Sequence, residues 1–375
     1  MKVVAAIDSF KGSLSSMEAG HAAVAGVLRA KPDAAVVVKP LADGGEGTTD
    51  ALIEGLNGRK IDMIAAGPLG KPVSCYYGYL PETQTAIMEM AAAAGITLLQ
   101  EDEKNPLTAT TYGVGEMILD AIAKGCRRFI IGIGGSATND CGIGMLKALG
   151  FRFTDRNGQD PGEGAQALEK ITHIITDDKN PLLEECHFQI ACDVTNPLCG
   201  PNGATYIYGP QKGVTESQKE ELDQAMSHFA EVACDTLGTD YREYPGAGAA
   251  GGLGFAFLSF LNADLLPGID LILQAVGLEE ELKDADIVIT GEGRLDHQTA
   301  MGKAPVGVAR LAHKYHARVI AFAGSVTKEA SACNAAGIDA FFPIVRGVTT
   351  LEEAMDPDHA KENLTAAAEQ VFRLL

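Results

Sequence analysis

The sequence predicts an α/β protein: a Rossmann-like parallel α/β domain built from both chain ends, plus an inserted second α/β domain with a mixed sheet. Three observations carry this expectation. At 375 residues the chain exceeds what one hydrophobic core usually supports. Residues 1–66 and 265–375 share one texture, in which short β-branched apolar runs alternate with helical stretches, as in βαβ units. Residues 67–264 read instead as hairpin-like and shorter mixed elements, so the middle of the chain is assigned to the second domain.

In order, residues 2–7 form an apolar strand that runs into the turn Asp8-Ser9-Phe10-Lys11-Gly12-Ser13. Ser15 and Glu18 have the spacing of a capping box, which opens a helix to about Ala30. A second strand over residues 34–39 ends in Asp43-Gly44-Gly45-Glu46-Gly47-Thr48, a helix follows, and residues 60–65 make a third strand. This βαβαβ run predicts parallel pairing with right-handed crossovers. Residues 73–80 and 85–90 read as a hairpin around Pro81-Glu82-Thr83. A helix over residues 111–124 leads to a strand at 128–133, and the β-α rhythm resumes with strands at Asp286, Arg318 and Asp339. After residues 286–290, Gly291-Glu292-Gly293 is expected to break the strand into a glycine turn.

Bulk composition narrows the function. Hydrophobic residues make up 46% and charged residues 21%, as in ordinary globular proteins. A net charge of −20 argues against nucleic acid and membrane-surface partners, which require a basic face. Any anionic ligand must therefore be met by locally gathered Lys, Arg and backbone N–H groups. No stretch approaches the roughly 20 apolar residues of a membrane span, and the first apolar run reaches Asp8 too early for a secretory signal. Eight cysteines without a CxxC pair suit neither a zinc site nor a disulfide scaffold. These features predict a cytoplasmic protein with reduced thiols; they are silent on assembly, and a homodimer is compatible with them.

Five loops carry the chemistry. In the first, Asp8 and Ser9 follow a strand directly, and Lys11 offers a mobile point charge to a phosphate or carboxylate. In the second, Gly44 and Gly45 belong to a glycine cluster that exposes successive backbone N–H groups, with Asp43 and Glu46 suited to Mg²⁺. The third, Gly132-Ile133-Gly134-Gly135-Ser136-Ala137, has the G-x-G-x-x-A pattern of a dinucleotide fingerprint, with Asp155 at the distance of the ribose-binding acid. The same residues Gly134, Gly135, Ser136 and Thr138 could equally hold a phosphate. The fourth places Asp193 past a strand over residues 188–192. The fifth brings Glu292, Arg294, Asp296, His297 and Lys303 between a strand and a helix. No G-x-x-x-x-G-K-[ST], G-x-S-x-G or HExxH motif occurs. Acids at strand ends, glycine nests and scattered cations describe phosphoryl transfer, which needs donors and Mg²⁺ to spread charge and an acid to receive the acceptor's proton.

Together, Asp8 to Ser13, Leu41 to Thr48, Gly134 to Gly142, Cys192 to Leu198 and Thr290 to Asp296 resemble the motifs of bacterial glycerate kinase. The resemblance runs the length of the chain, and five motifs in order are far more specific than any one. It is to the two-domain type that phosphorylates D-glycerate at its 2-hydroxyl. It implies ATP and Mg²⁺, 2-phospho-D-glycerate as product, and a Rossmann-like domain plus an inserted one; the choice of the 2- over the 3-position rests on it alone. The resemblance assigns no role to single residues; because both sit just past strand ends, Asp296 or Asp193 is the expected base, in a cleft between the two domains, with Lys11 assisting. Lys11 and Arg294, with Asp8, Ser9 and Glu292, would bind glycerate or the γ-phosphate. Gly44, Gly45, Gly134, Gly135, Ser136 and Thr138 would take the nucleotide, and Asp43 with Glu46 the Mg²⁺. The competing readings are an NAD(P)-dependent oxidoreductase built on Gly132 to Ala137, and a non-catalytic two-domain binding protein.

Overall fold

The computed structural model describes residues 1–45 and 47–375. Its strands, in chain order, begin with β1 (Lys2–Ile7), β2 (Ala35–Pro40), β3 (Arg59–Ala66), β4 (Pro72–Leu80) and β5 (Thr85–Glu89). They continue with β6 (Arg128–Gly132), β7 (Arg152–Thr154), β8 (His173–Ile175), β9 (His187–Ala191) and β10 (Asp264–Leu266). The last three are β11 (Ile287–Leu295), β12 (Arg318–Val326) and β13 (Ala340–Pro343). The chain divides into two compact units, Met1–Gly58 with Ile269–Leu375, and Arg59–Gly268.

The first unit holds a five-stranded sheet of order β13-β12-β11-β1-β2, parallel throughout. β1 is an interior strand, between β11 and β2: Val3, Val4, Ala5, Ala6 and Ile7 are wholly buried, as a parallel strand covered on both faces must be. The helix Ser16–Ala30 opens with the expected capping box, Ser15 Oγ accepting from Glu18 N and Glu18 accepting from Ser15 N. Its face of Ala19, Ala22, Ala23 and Val27 packs into a core shared with Leu364, Ala368 and Phe372 of the terminal helix Pro357–Leu374. Strand order runs from β1 to β2 on one side and from β11 through β12 to β13 on the other. The reversal falls between β1 and β11, where open α/β sheets leave a crevice at the strands' carboxyl ends.

Two expectations need correction here. Gly291 and Gly293 do not end the strand, for β11 runs on through Leu295 in register with β12. Gly291 is required by packing: a Cβ there would overlap the Phe322 carbonyl oxygen on the neighbouring strand. The third strand, β3, does not join the parallel sheet; it pairs antiparallel with β4 in the second unit, Ile61 opposite Tyr77 and Met63 opposite Cys75. Its alternation of Ile61, Met63 and Ala65 against Lys60, Asp62 and an exposed Ile64 is that of a sheet with one wet face.

The second unit is built on a six-stranded mixed sheet, β10-β9-β6-β5-β4-β3, with the predicted hairpin as β4 and β5. Its core gathers Tyr77, Phe129, Phe188, Phe229, Phe255 and Phe257. β7 and β8 form a separate antiparallel pair. This removes the dinucleotide reading: β7 is not a parallel neighbour of β6, and no helix opens until Ile143. Asp155 instead closes a turn, accepting from Asn157 N and Gln159 N. No described helix is long and apolar enough to cross a membrane, and all eight cysteines are free thiols.

Candidate active site

At the carboxyl ends of β1 and β11 the first unit encloses a pocket of about 490 Å³. The turn after β1 forms one wall. Phe10 and Leu14 exchange backbone hydrogen bonds of 2.9 and 3.0 Å, and both side chains are buried, which pins the loop and leaves Lys11 at its exposed tip. Gly12 adopts φ +78°, the left-handed conformation this tight turn needs. Alongside it, Gly293 of β11 passes so close that a Cβ would touch the backbone of Phe10 and Lys11.

The structure brings Asp8, Ser9, Lys11, Asp43, Glu292, Arg294 and Asp296 together on this one pocket, with Lys303 beside them. Asp8 is buried at the end of β1 and accepts from Ser9 N at 2.7 Å. Burial, reinforced by the charge of Asp43 and then of Glu292, pushes its carboxyl up to about 7. Burial likewise raises Glu292, against the hydrogen bond it accepts from Thr299 Oγ1 at 2.6 Å and the charge of Lys303. Asp296 is the N-cap of the short helix His297–Ala300, accepting from Gln298 N at 2.8 Å and Thr299 N at 3.3 Å. Arg294 lies 3.7 Å from it and is well exposed. Asp296 thus has a structural task at its position whatever chemistry it performs.

Asp43 accepts from Gly45 N at 3.0 Å, and Gly44 beside it takes φ +88°. Gly44 and Gly45 adjoin the pocket through Asp43 rather than lining it. Glu46, the other expected Mg²⁺ ligand, lies outside the described residues. The donor set nonetheless fits Mg²⁺ in character: Asp8 and Glu292 are raised by burial first and also by the charge of Asp43, and such crowding of carboxylates is what a hard divalent cation relieves. Among the described residues, no group of three or more His, Cys, Asp or Glu side chains is placed to hold a metal unaided. Mg²⁺ commonly takes one or two carboxylates and completes its shell with substrate phosphates and water.

Gly134, Gly135, Ser136, Thr138 and Asp193 belong to the second unit. Gly134 and Gly135 are exposed, while Ser136 and Thr138 are buried around Lys212, whose Nζ donates to Ser136 Oγ at 2.8 Å and to the Thr138 carbonyl at 2.7 Å. Burial drives the Lys212 ammonium down to about 7, against the charge of Asp140. Asp140 is itself fully buried and accepts from Thr111 N, Thr111 Oγ1, Gly142 N and Gly144 N. Asp193 accepts from Gly268 N at 2.9 Å. Lys212 was visible in the sequence only as a lysine among glycines, because nothing local signals its burial. The pocket's apolar side (Phe10, Ile344, Val345, Leu351, Ala354 and Met355) was not singled out at all. Most of it comes from a segment whose local pattern reads only as helix and connection.

Comparison with known proteins identifies the family. The model of the glycerate kinase family matches residues 3–375. The chain is 47% identical over 371 residues to a glycerate kinase of Bacillus subtilis (strain 168), covering 99% of this chain and 97% of that one. It is 45% identical over 375 residues to a glycerate 2-kinase of Escherichia coli (strain K12), covering 100% and 98%. A crystal structure described as a glycerate kinase 2 from Salmonella typhimurium LT2 superposes with a TM-score of 0.92 at 43% identity, covering 100% of this chain and 98% of that one. With a match that spans both units, this chain belongs to the glycerate kinase family.

Proposed function

We propose that the protein is an ATP-dependent kinase that transfers the γ-phosphoryl group to the 2-hydroxyl of D-glycerate, giving 2-phospho-D-glycerate and ADP. The observation that carries this is the first-unit pocket, where the buried Asp8, three half-buried acids and flexible cations meet at the carboxyl ends of two adjacent strands. Phosphoryl transfer asks the protein mainly for positioning and charge stabilisation, and this pocket supplies both signs of charge. Lys11 and Lys303 are point charges on flexible stems, suited to following a phosphoryl group; the planar Arg294 guanidinium suits the glycerate carboxylate. A carboxylate receives the proton of the 2-hydroxyl as its oxygen attacks phosphorus, with Asp296 of this pocket or Asp193 of the second unit assigned that task. Asp8, Ser9 and Glu292 contact the substrate from the strand ends. Asp43, with Glu46, would hold Mg²⁺, which when bound neutralises charge on the nucleotide phosphates.

In the second unit, Gly134, Gly135, Ser136 and Thr138 are assigned to nucleotide phosphates, on the strength of two exposed glycines just past a strand's end, followed by hydroxyl residues. The free thiols suit a reducing, cytoplasmic setting. Phosphorus NMR of the product made from ATP and D-glycerate tests the reaction. Expected is a phosphomonoester coupled to the C2 proton; coupling to the C3 protons reassigns the position, and no ester with ATP consumed or untouched overturns the reading.

A further inference from the structure

The pocket has a side that glycerate does not explain. Every carbon of glycerate carries oxygen, so the acid has no apolar face to bury, and it is small against 490 Å³, a volume in the usual ~300–1,000 Å³ range for drug-sized ligands. Besides the charged residues, the pocket is lined by Phe10, Ile344, Val345, Leu351, Ala354 and Met355. Leu351 is 77% exposed, and Val348 just before it is fully exposed. Leu351 and Met355 are uncovered apolar groups on the rim of a charged cavity, a combination that marks ligand sites. The two sides are continuous: the Met355 methyl carbon lies 2.9 Å from where a Gly12 Cβ would stand, so this wall abuts the turn that carries Lys11.

We propose that this apolar wall seats the purine base of the nucleotide, with Leu351 and Met355 packed against the ring. The inference rests on the kinase reading above and adds to it the location of the base. A nucleoside triphosphate is the one reactant of that reaction with both a flat apolar end and a polyanionic end. The same pocket is lined by this apolar wall and by Lys11 and Lys303. Leu351 lies on the short helix Leu351–Met355, capped by Thr350 Oγ1 accepting from Glu353 N. Its exposure leaves room for an incoming ring and for a larger reporter side chain.

The chain contains no tryptophan, so Leu351→Trp places a sole indole on the wall. Saturable change of its emission with ADP, and none with D-glycerate or inorganic tripolyphosphate, is the expected result. A flat response to ADP, when calorimetry shows ADP bound to the same variant, overturns the proposal; so does a response to tripolyphosphate or D-glycerate equal to that of ADP. Leu351→Ser serves as a second variant. Its KM for ATP should rise about fivefold, the loss of part of one leucine's burial, with KM for D-glycerate within about twofold. An unchanged KM for ATP overturns the proposal. The two readings fail separately: absence of glycerate phosphorylation by the unaltered enzyme sinks the reaction, whereas normal turnover with a silent indole sinks only the base site.

Discussion

Lys212 shows how one side chain can carry a large electrostatic cost inside a fold. Its ammonium is buried, donates to Ser136 and Thr138, and has Asp140 as the charged neighbour acting on it. Its folded pKa of about 7 lies below the ordinary 10.5, so between those values the unfolded chain binds the extra proton. Stability from this group is therefore present at high pH and is lost as pH falls toward 7. In urea unfolding, wild type should gain on Lys212→Met by roughly 1–3 kcal/mol between pH 7 and 9. A pH-independent difference would refute the titration. Gly291 is a second residue-scale constraint, since a Cβ there has no room before the Phe322 carbonyl. Gly291→Ala should cost about 1–3 kcal/mol as an overpacked core does, read as a lowered Tm; an unchanged Tm would mean that the strands part freely.

At the scale of elements, caps and catalysis can be separated. Asn caps a helix about as well as Asp, so Asp296→Asn keeps the hydrogen bonds to Gln298 N and Thr299 N while removing the carboxylate base. If Asp296 is the base, kcat falls by about 10²–10⁴ with Tm little changed. Asp193→Asn is the parallel test, and retention of activity within about tenfold by both variants removes both assignments. For the helix Ser16–Ala30, Ser15→Ala discards one half of a reciprocal cap and should lower stability by about 1 kcal/mol in thermal or urea melts. The capping box, the hairpin and the strands at 286, 318 and 339 were all legible beforehand, because each depends on residues a few positions apart. β3 was misassigned for the converse reason: its alternating pattern was present, but which strand it joins depends on partners distant in sequence.

At the scale of the molecule, the two units have separate cores, one drawn from residues 65–263 and the other from both chain ends. Residues 59–268 alone should therefore melt cooperatively by circular dichroism, whereas residues 1–58, which lack β11 and the terminal helix, should not; non-cooperative melting of the former would show that its core is incomplete. Periodicity, glycine placement and five ordered motifs were enough to identify the α/β class, the discontinuous texture and the family resemblance, since those are properties of local chain chemistry. They also named the acids and cations that line the first-unit pocket. Chain order could not show that Asp8 is buried near Asp43 and Glu292, that Lys212 donates to Ser136, or that Leu351 and Met355 line the same pocket as Lys11. Burial and proximity arise only when strands distant in sequence align, because desolvation and Coulomb interaction depend on distance in space, and sequence separation does not encode it.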